Sequence, residues 1–270
     1  MEYIKYVILG IIQGITEPIP VSSSAHLLIF QNLFNTSIFN ENNNFEIIVN
    51  FASFLAILFV FRKDVINLLK GFFNYIFFKE KRSEFKKEFK YCLYIIVGSI
   101  PIGITGIIVK KFFPKLLESL PLTGIALLIT AILLLIISKV NGNKDESKMN
   151  YTDALIIGLF AAFAPLPGIS RSGITLAGCY LRNLKKEEAF RFTFMLYFPI
   201  SIASMGLSIL DISKSGNLNE LILPYTLGFI GALFTTYFAV KWFFKIVRKG
   251  KLWKFAIYCL LAGLFTLIYF

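Results

Sequence analysis

Two short stretches concentrate the residues able to do chemistry. The first, Thr16-Glu17-Pro18-Ile19-Pro20-Val21-Ser22-Ser23-Ser24-Ala25-His26, holds a carboxylate, three consecutive serines and the one histidine of the chain. The second, Ala164-Pro165-Leu166-Pro167-Gly168-Ile169-Ser170-Arg171-Ser172-Gly173, places a guanidinium between two serines. Gln13 lies one helical turn before Glu17, so both side chains share a face directed at the first break. Serine becomes a competent nucleophile only beside a base. Arginine offers a planar fork that binds phosphate oxygens in pairs, and a helix N-terminus adds free amides and a favourable dipole. Ser170-Arg171-Ser172-Gly173 therefore reads as a phosphate cradle. The competing roles are helix capping for Ser22, Ser23, Ser24, Ser170 and Ser172, and a packing hydrogen bond for His26. The Arg182, Lys185, Lys186, Glu187, Glu188 and Arg191 cluster reads as a solvated interfacial turn.

The elements that carry these stretches follow from the prolines. Both contain Pro-x-Pro with serine three residues after the second proline, so Pro18 pairs with Pro165, Pro20 with Pro167 and Ser23 with Ser170. Proline lacks an amide donor and pushes the preceding residue out of the α region, so the pair stops a helix. Each flanking half has about a dozen residues, roughly 18–20 Å of helix, against a hydrocarbon core of about 30 Å. Residues 4–34 and 154–182 are accordingly expected as re-entrant helical hairpins.

A membrane is the natural solvent for the remainder. The 270 residues are 56% hydrophobic and 16% charged, with 30 Phe, and the mean hydropathy is +0.70, far above that of a soluble domain. Apolar runs at 47–61, 92–109, 121–138, 192–210, 221–240 and 253–270 predict about six transmembrane helices. Cys92, Cys179 and Cys259 lie singly in apolar segments, without zinc or disulfide spacing. Gln13, Glu17 and Pro18 interrupt the first apolar stretch, so it does not read as a cleaved signal and is expected to be retained.

The net charge of +12 does not indicate nucleic acid, because of where the charges fall. Loops 62–90, 139–150, 182–191 and 241–254 carry 22 of the 28 lysines and arginines. Placing them inside leaves Lys5, Lys110, Lys111, Lys115 and Lys214 outside, as the positive-inside rule expects. The two hairpins then enter from opposite faces, the first from outside. That arrangement predicts an all-α polytopic membrane protein with an inverted-topology repeat. The first repeat is 1–138, the second 151–245, and 251–270 is an extra terminal helix; the 62–90 loop is expected as an amphipathic helix lying on the inner surface. Broken helices in such folds meet near the midplane with half-helix N-termini toward anionic groups, which would bring the two serine tips together.

The segments Gln13-Gly14-x-Thr16-Glu17-x-x-Pro20-Val21-Ser22-Ser23-Ser24-x-His26 and Pro167-Gly168-x-Ser170-Arg171-Ser172-Gly173-x-Thr175 resemble the two signatures of the undecaprenyl-diphosphate phosphatases of the bacitracin-resistance type. Glu188-Ala189-x-Arg191-Phe192-x-Phe194 and Pro199 extend the likeness along the chain. The resemblance implies hydrolysis of a C55 isoprenyl diphosphate to the monophosphate carrier used in cell-wall synthesis. It places the active site toward the outer face of the cytoplasmic membrane, among membrane lipids and within a homodimer. By position it implies Glu17, Ser23, His26 and Arg171 as catalytic residues, with Ser23 as the nucleophile and His26 as a supporting acid/base group. It also implies Gln13, Ser22, Ser24, Gly168, Ser170, Ser172 and Thr175 around the substrate. A divalent cation, Mg2+ or Ca2+, would be held by Glu17 together with substrate phosphates. Whether serine or a metal-activated water attacks stays open. Pro18, Ala25 and Ala161 depart from the family pattern, and Gln13 leaves Glu17 as the carboxylate of that break. A lipid-carrier transporter is the rival reading, since inverted repeats with broken helices are a transporter architecture.

Overall fold

The computed structural model describes residues 2–34, 44–212 and 221–270, and among these the chain is helical, with no β-strand. Helices α1 (Glu2–Thr16) and α2 (Ser23–Leu33) flank the first break. Further along run α3 (Asn44–Phe77), α4 (Lys86–Phe112), the one-turn α5 (Pro114–Leu117) and α6 (Leu120–Ser138). Then α7 (Tyr151–Ala161) and α8 (Arg171–Leu181) flank the second break, followed by α9 (Lys186–Ile212), α10 (Ile222–Arg248) and α11 (Trp253–Tyr269). Of these, α3, α4, α6 and α10 are long and apolar enough to cross a membrane. The 27-residue α9 and 17-residue α11 cover the other two expected runs. The chain is an all-α polytopic membrane protein. Lys214, counted outside from its position in the sequence, lies beyond the described residues.

Local chemistry explains where the short helices stop and start. Helix α1 ends two residues before Pro18, and α7 ends four before Pro165. Helix α7 opens with a capping box in which Asp153 N donates to Asn150 Oδ1 and Asn150 N to Asp153 Oδ2, both at 2.9 Å. Ser170 caps α8, its Oγ accepting from Gly173 N at 3.2 Å. Ser22 precedes α2 with φ 68°, a left-handed conformation that costs a non-glycine residue roughly 1–3 kcal/mol and is typical of functional sites. At 11 residues each, α2, α7 and α8 reach about 17 Å and fall short of a bilayer core.

Residues 62–90 differ from the expectation of a surface helix. Helix α3 continues unbroken through Arg62 and Lys63 to Phe77, a short turn intervenes, and α4 begins at Lys86. Thirty-four residues make a rod of about 50 Å, so α3 extends some two to four turns beyond a hydrocarbon core. Charged side chains end an apolar run without ending a helix, because Lys and Arg are good helix formers.

Packing pairs the elements reciprocally across the chain. Helix α1 lies on α10 and α7 on α4, while α3 meets α10, α4 meets α9, and α6 meets α11. Glycines set both hairpin contacts. A methyl group on Gly10 would stand 2.2 Å from Gly228 O, and one on Gly158 2.4 Å from Gly98 O. Such close backbone approach replaces the hydrophobic effect as the source of cohesion between helices in lipid. The helix expected as an extra element over 251–270 is α11, packed along α6.

Ion pairs tie the segment between α6 and α7 to the bundle. Asp153 is fully buried between Lys144 Nζ at 2.8 Å and Arg182 Nε at 2.7 Å. Arg191 reaches Asp64 at 3.0 Å and Glu146 at 2.5 Å. Burial pushes the Glu146 carboxyl above its ordinary value, against the pull of Arg191. The cluster from Arg182 to Arg191 thus serves as a set of struts joining the linker to α3 and α7.

Candidate active site

The two breaks meet. A methyl group on Gly173 would touch Pro20 Cβ at 3.3 Å, so the tip of the first hairpin rests on the first turn of α8. Across this contact Arg171 Nη2 donates to Glu17 Oε1 at 2.9 Å. Ser23 Oγ donates to Glu17 Oε2 at 2.5 Å. Gln13 Nε2 donates to the same Oε2 at 3.0 Å. Helix phase explains the grouping: Gln13 and Glu17 lie four apart at the end of α1, and the Pro-x-Pro turn folds Ser23 back onto that face.

Four residues inside apolar runs complete the cluster without having been singled out in the sequence. Asn50 of α3 accepts from Gln13 Nε2 at 2.5 Å and is hydrogen-bonded to Glu46, which lies within electrostatic reach of Glu17. Ser201 of α9 accepts from Arg171 Nη1 at 3.2 Å. The Arg171 guanidinium lies 4.7 Å over the Tyr197 ring, and Tyr197 is within electrostatic reach of Glu17. Tyr258 of α11 meets His26 Nε2 at 2.6 Å. The available signal was a lone polar or hydroxyl-bearing residue within a long apolar run.

Glu17 is therefore a carboxylate that accepts from a guanidinium, a serine and an amide. Its side chain is 3% exposed, whereas that of Arg171 is 34% exposed. The guanidinium is thus the open end of the pair. At the same end, α8 presents its first-turn amides. Buried between facing helices, such an arrangement can hold an anion and take a proton from a hydroxyl.

The other expected residues lie around this centre in different roles. Ser22 and Ser24 hydrogen-bond each other through their hydroxyls at 3.3 Å, and Ser170 and Ser172 do so at 3.2 Å. Thr175 Oγ1 donates to the Arg171 carbonyl at 2.8 Å. His26 is 3% exposed and turns from Ser23 toward α11, with Nδ1 2.7 Å from the Ser22 carbonyl. Gly168 is wedged against α6. Its carbonyl accepts from Thr130 Oγ1 at 2.9 Å, its φ is +90°, and a methyl group there would stand 2.4 Å from Thr123 O. Gly168→Ala is expected to cost at least about 2 kcal/mol through strain and overlap, read as a lowered thermal midpoint of the purified protein. An unchanged midpoint would refute the wedge.

The oxygen-rich character of the site suits a hard divalent cation. Gln13 Oε1 is buried without a hydrogen-bond partner beside Glu17 and Asn50, and oxygen donors are what Mg2+ and Ca2+ prefer. Among the described residues no group of three or more His, Cys, Asp and Glu side chains is placed to hold a metal ion.

The family model described as "Bacitracin resistance protein BacA" matches residues 6–265. "Undecaprenyl-diphosphatase 2" of Bacillus thuringiensis (strain Al Hakam) is 43% identical over 266 residues, covering 98% of this chain and 97% of that protein. "Undecaprenyl-diphosphatase" of Oceanobacillus iheyensis is 42% identical over 270 residues, covering 98% and 96%. "Undecaprenyl-diphosphatase 1" of Halalkalibacterium halodurans is 40% identical over 264 residues, covering 98% and 95%. With the match running over nearly its whole length, the chain belongs to the bacitracin resistance protein BacA family.

Proposed function

We propose that this protein hydrolyses undecaprenyl diphosphate to undecaprenyl phosphate and inorganic phosphate, recycling the lipid carrier of cell-wall synthesis and thereby giving resistance to bacitracin. The names of its relatives support this reading. The observation that carries it is the Glu17 carboxylate joined at once to a serine hydroxyl and to an arginine at a helix N-terminus.

The terminal phosphoryl group docks against Arg171 and the first amides of α8. Phosphoryl transfer asks mainly for positioning and neutralisation of charge. Ser23 Oγ attacks the terminal phosphorus, its proton passes through Glu17 Oε2 to the departing lipid monophosphate, and the bridging P–O bond breaks. Water then attacks the phosphoserine, Glu17 carries its proton to Ser23 Oγ as the Oγ–P bond breaks, and phosphate leaves. Gln13, Glu17 and Asn50 would help to hold a divalent cation, whose contribution is neutralisation of phosphate charge. The two hairpins, with α1 packed on α10 and α7 on α4, read as the two parts of an inverted repeat. A site open to the outer face is what the likeness to the family implies.

Phosphate release by the purified protein from a C55 or C15 isoprenyl diphosphate, with and without chelator, is the test. No release, together with substrate-dependent lipid flipping in liposomes, would favour a transporter instead. Ser23→Ala is expected to lose activity by about a hundredfold or more if the serine attacks. Substantial turnover by that variant would move the attack to an activated water.

A further inference from the structure

The hydrogen bonds of His26 determine which of its nitrogens can exchange a proton, and through what. A carbonyl oxygen only accepts, so the 2.7 Å contact with Ser22 O requires the proton to sit on Nδ1. In neutral imidazole Nε2 is then a bare lone pair. Its partner is Tyr258 Oη at 2.6 Å, which must donate. The rings lie nearly parallel, with centroids 5.5 Å apart and planes 10° from one another. The next residue on α11, Cys259, directs its Sγ to the Pro20 carbonyl at 3.7 Å. Two consecutive residues of α11 therefore hold the break of the first hairpin, one at its histidine and one at its proline turn.

We propose that Tyr258 is a positioning residue of the site: its hydroxyl, donated to Nε2, holds the ring whose tautomer the Ser22 carbonyl fixes, and is the route by which His26 exchanges protons. The buried imidazole has no free nitrogen for Ser23, whose hydroxyl is already given to Glu17. A proton arriving at Nε2 comes through Tyr258 Oη, whose side chain is 46% exposed at the surface of α11. His26 thus supports catalysis as the anchor of a tyrosine, and α11 becomes part of the site. The kinetic consequence rests on the phosphatase reading, whereas the tautomer does not.

Because His26 is the single histidine of the chain, 15N-histidine labelling gives one pair of ring resonances and reads the tautomer directly in detergent or nanodiscs. The wild type is expected to show Nδ1 protonated and Nε2 bare. Tyr258→Phe, which removes one oxygen, should shift the Nε2 resonance, while the Ser22 carbonyl keeps the proton on Nδ1. It should lower kcat on a C15 diphosphate by about tenfold while KM stays within about twofold. Adding Tyr258→Phe to His26→Gln should cost less than about a further twofold, because the two act as one unit. A wild-type spectrum with Nε2 protonated would overturn the proposal, even if the variant failed to fold. So would a Tyr258→Phe variant with wild-type kcat, or effects that multiply. Absence of phosphate release by the wild type would instead defeat the phosphatase reading, leaving the spectra to decide the tautomer.

Discussion

Arg171→Ala is expected to lower kcat/KM for an isoprenyl diphosphate by about a thousandfold, since removing one donor aimed at developing charge costs roughly a hundred- to a thousandfold and this residue supplies a fork. Its Nη2 holds Glu17 and its Nη1 holds Ser201, while its partial exposure leaves the guanidinium within reach of a phosphate. The same variant strands the Glu17 carboxylate. Losing one partner of a buried pair costs about 3–5 kcal/mol, but a pair open at the arginine end is screened, and about 1–2 kcal/mol is the better expectation. The variant should therefore remain folded and be inactive. Arg171→Lys separates the two roles: lysine keeps the charge beside Glu17 but loses the planar fork. Stability is expected to return with lysine and most of the activity is not. Near-normal turnover in Arg171→Ala would remove the residue from the phosphate clamp.

Glu17→Gln is expected to reduce kcat by about a hundred- to ten-thousandfold, the range that a positioned general base supplies. The substitution preserves shape and the contact with Gln13 while removing the group that takes the Ser23 proton. It also removes the charge opposite Arg171, so the guanidinium becomes freer to bind phosphate. A falling kcat with an unchanged or lower KM is the expected signature, and a purely raised KM would show that Glu17 serves binding rather than chemistry. If Glu17 also helps to hold a cation, the variant should need a higher concentration of Mg2+ or Ca2+ for its residual activity. An unchanged requirement would free the residue from that role.

The two proline-marked breaks were legible because their signals are covalent. Pro18 with Pro20, and Pro165 with Pro167, stop a helix as pairs, where the single Pro101 and Pro199 sit inside α4 and α9, and a carboxylate or guanidinium at membrane depth demands a partner. Glu17 and Arg171 are that pair. Asn50, Tyr197, Ser201 and Tyr258 were not legible, for a reason peculiar to lipid. In water an apolar stripe shows which way a helix faces, but here lipid and protein interior are both apolar. The rotational phase of α3, α9 and α11 is consequently unwritten in hydropathy, and a single asparagine or tyrosine does not reveal which neighbour it will meet. The length of α3 was misread for a related cause, because Arg62 and Lys63 mark an interface rather than a helix end.

The glycine contact of α1 with α10, and the bond from His26 to Tyr258, 232 residues apart in the chain, have a consequence for biogenesis. A ribosome delivers the first hairpin long before the helices that seat it. At about 5–20 residues per second, its short arms must wait some tens of seconds, too short to span and with irregular backbone that lipid does not satisfy. Closure of the site waits until α11 has left the exit tunnel. Truncation within α11 should therefore yield a chain that inserts into the membrane with its first hairpin unseated and open to proteolysis, a cost borne by quality control rather than by catalysis.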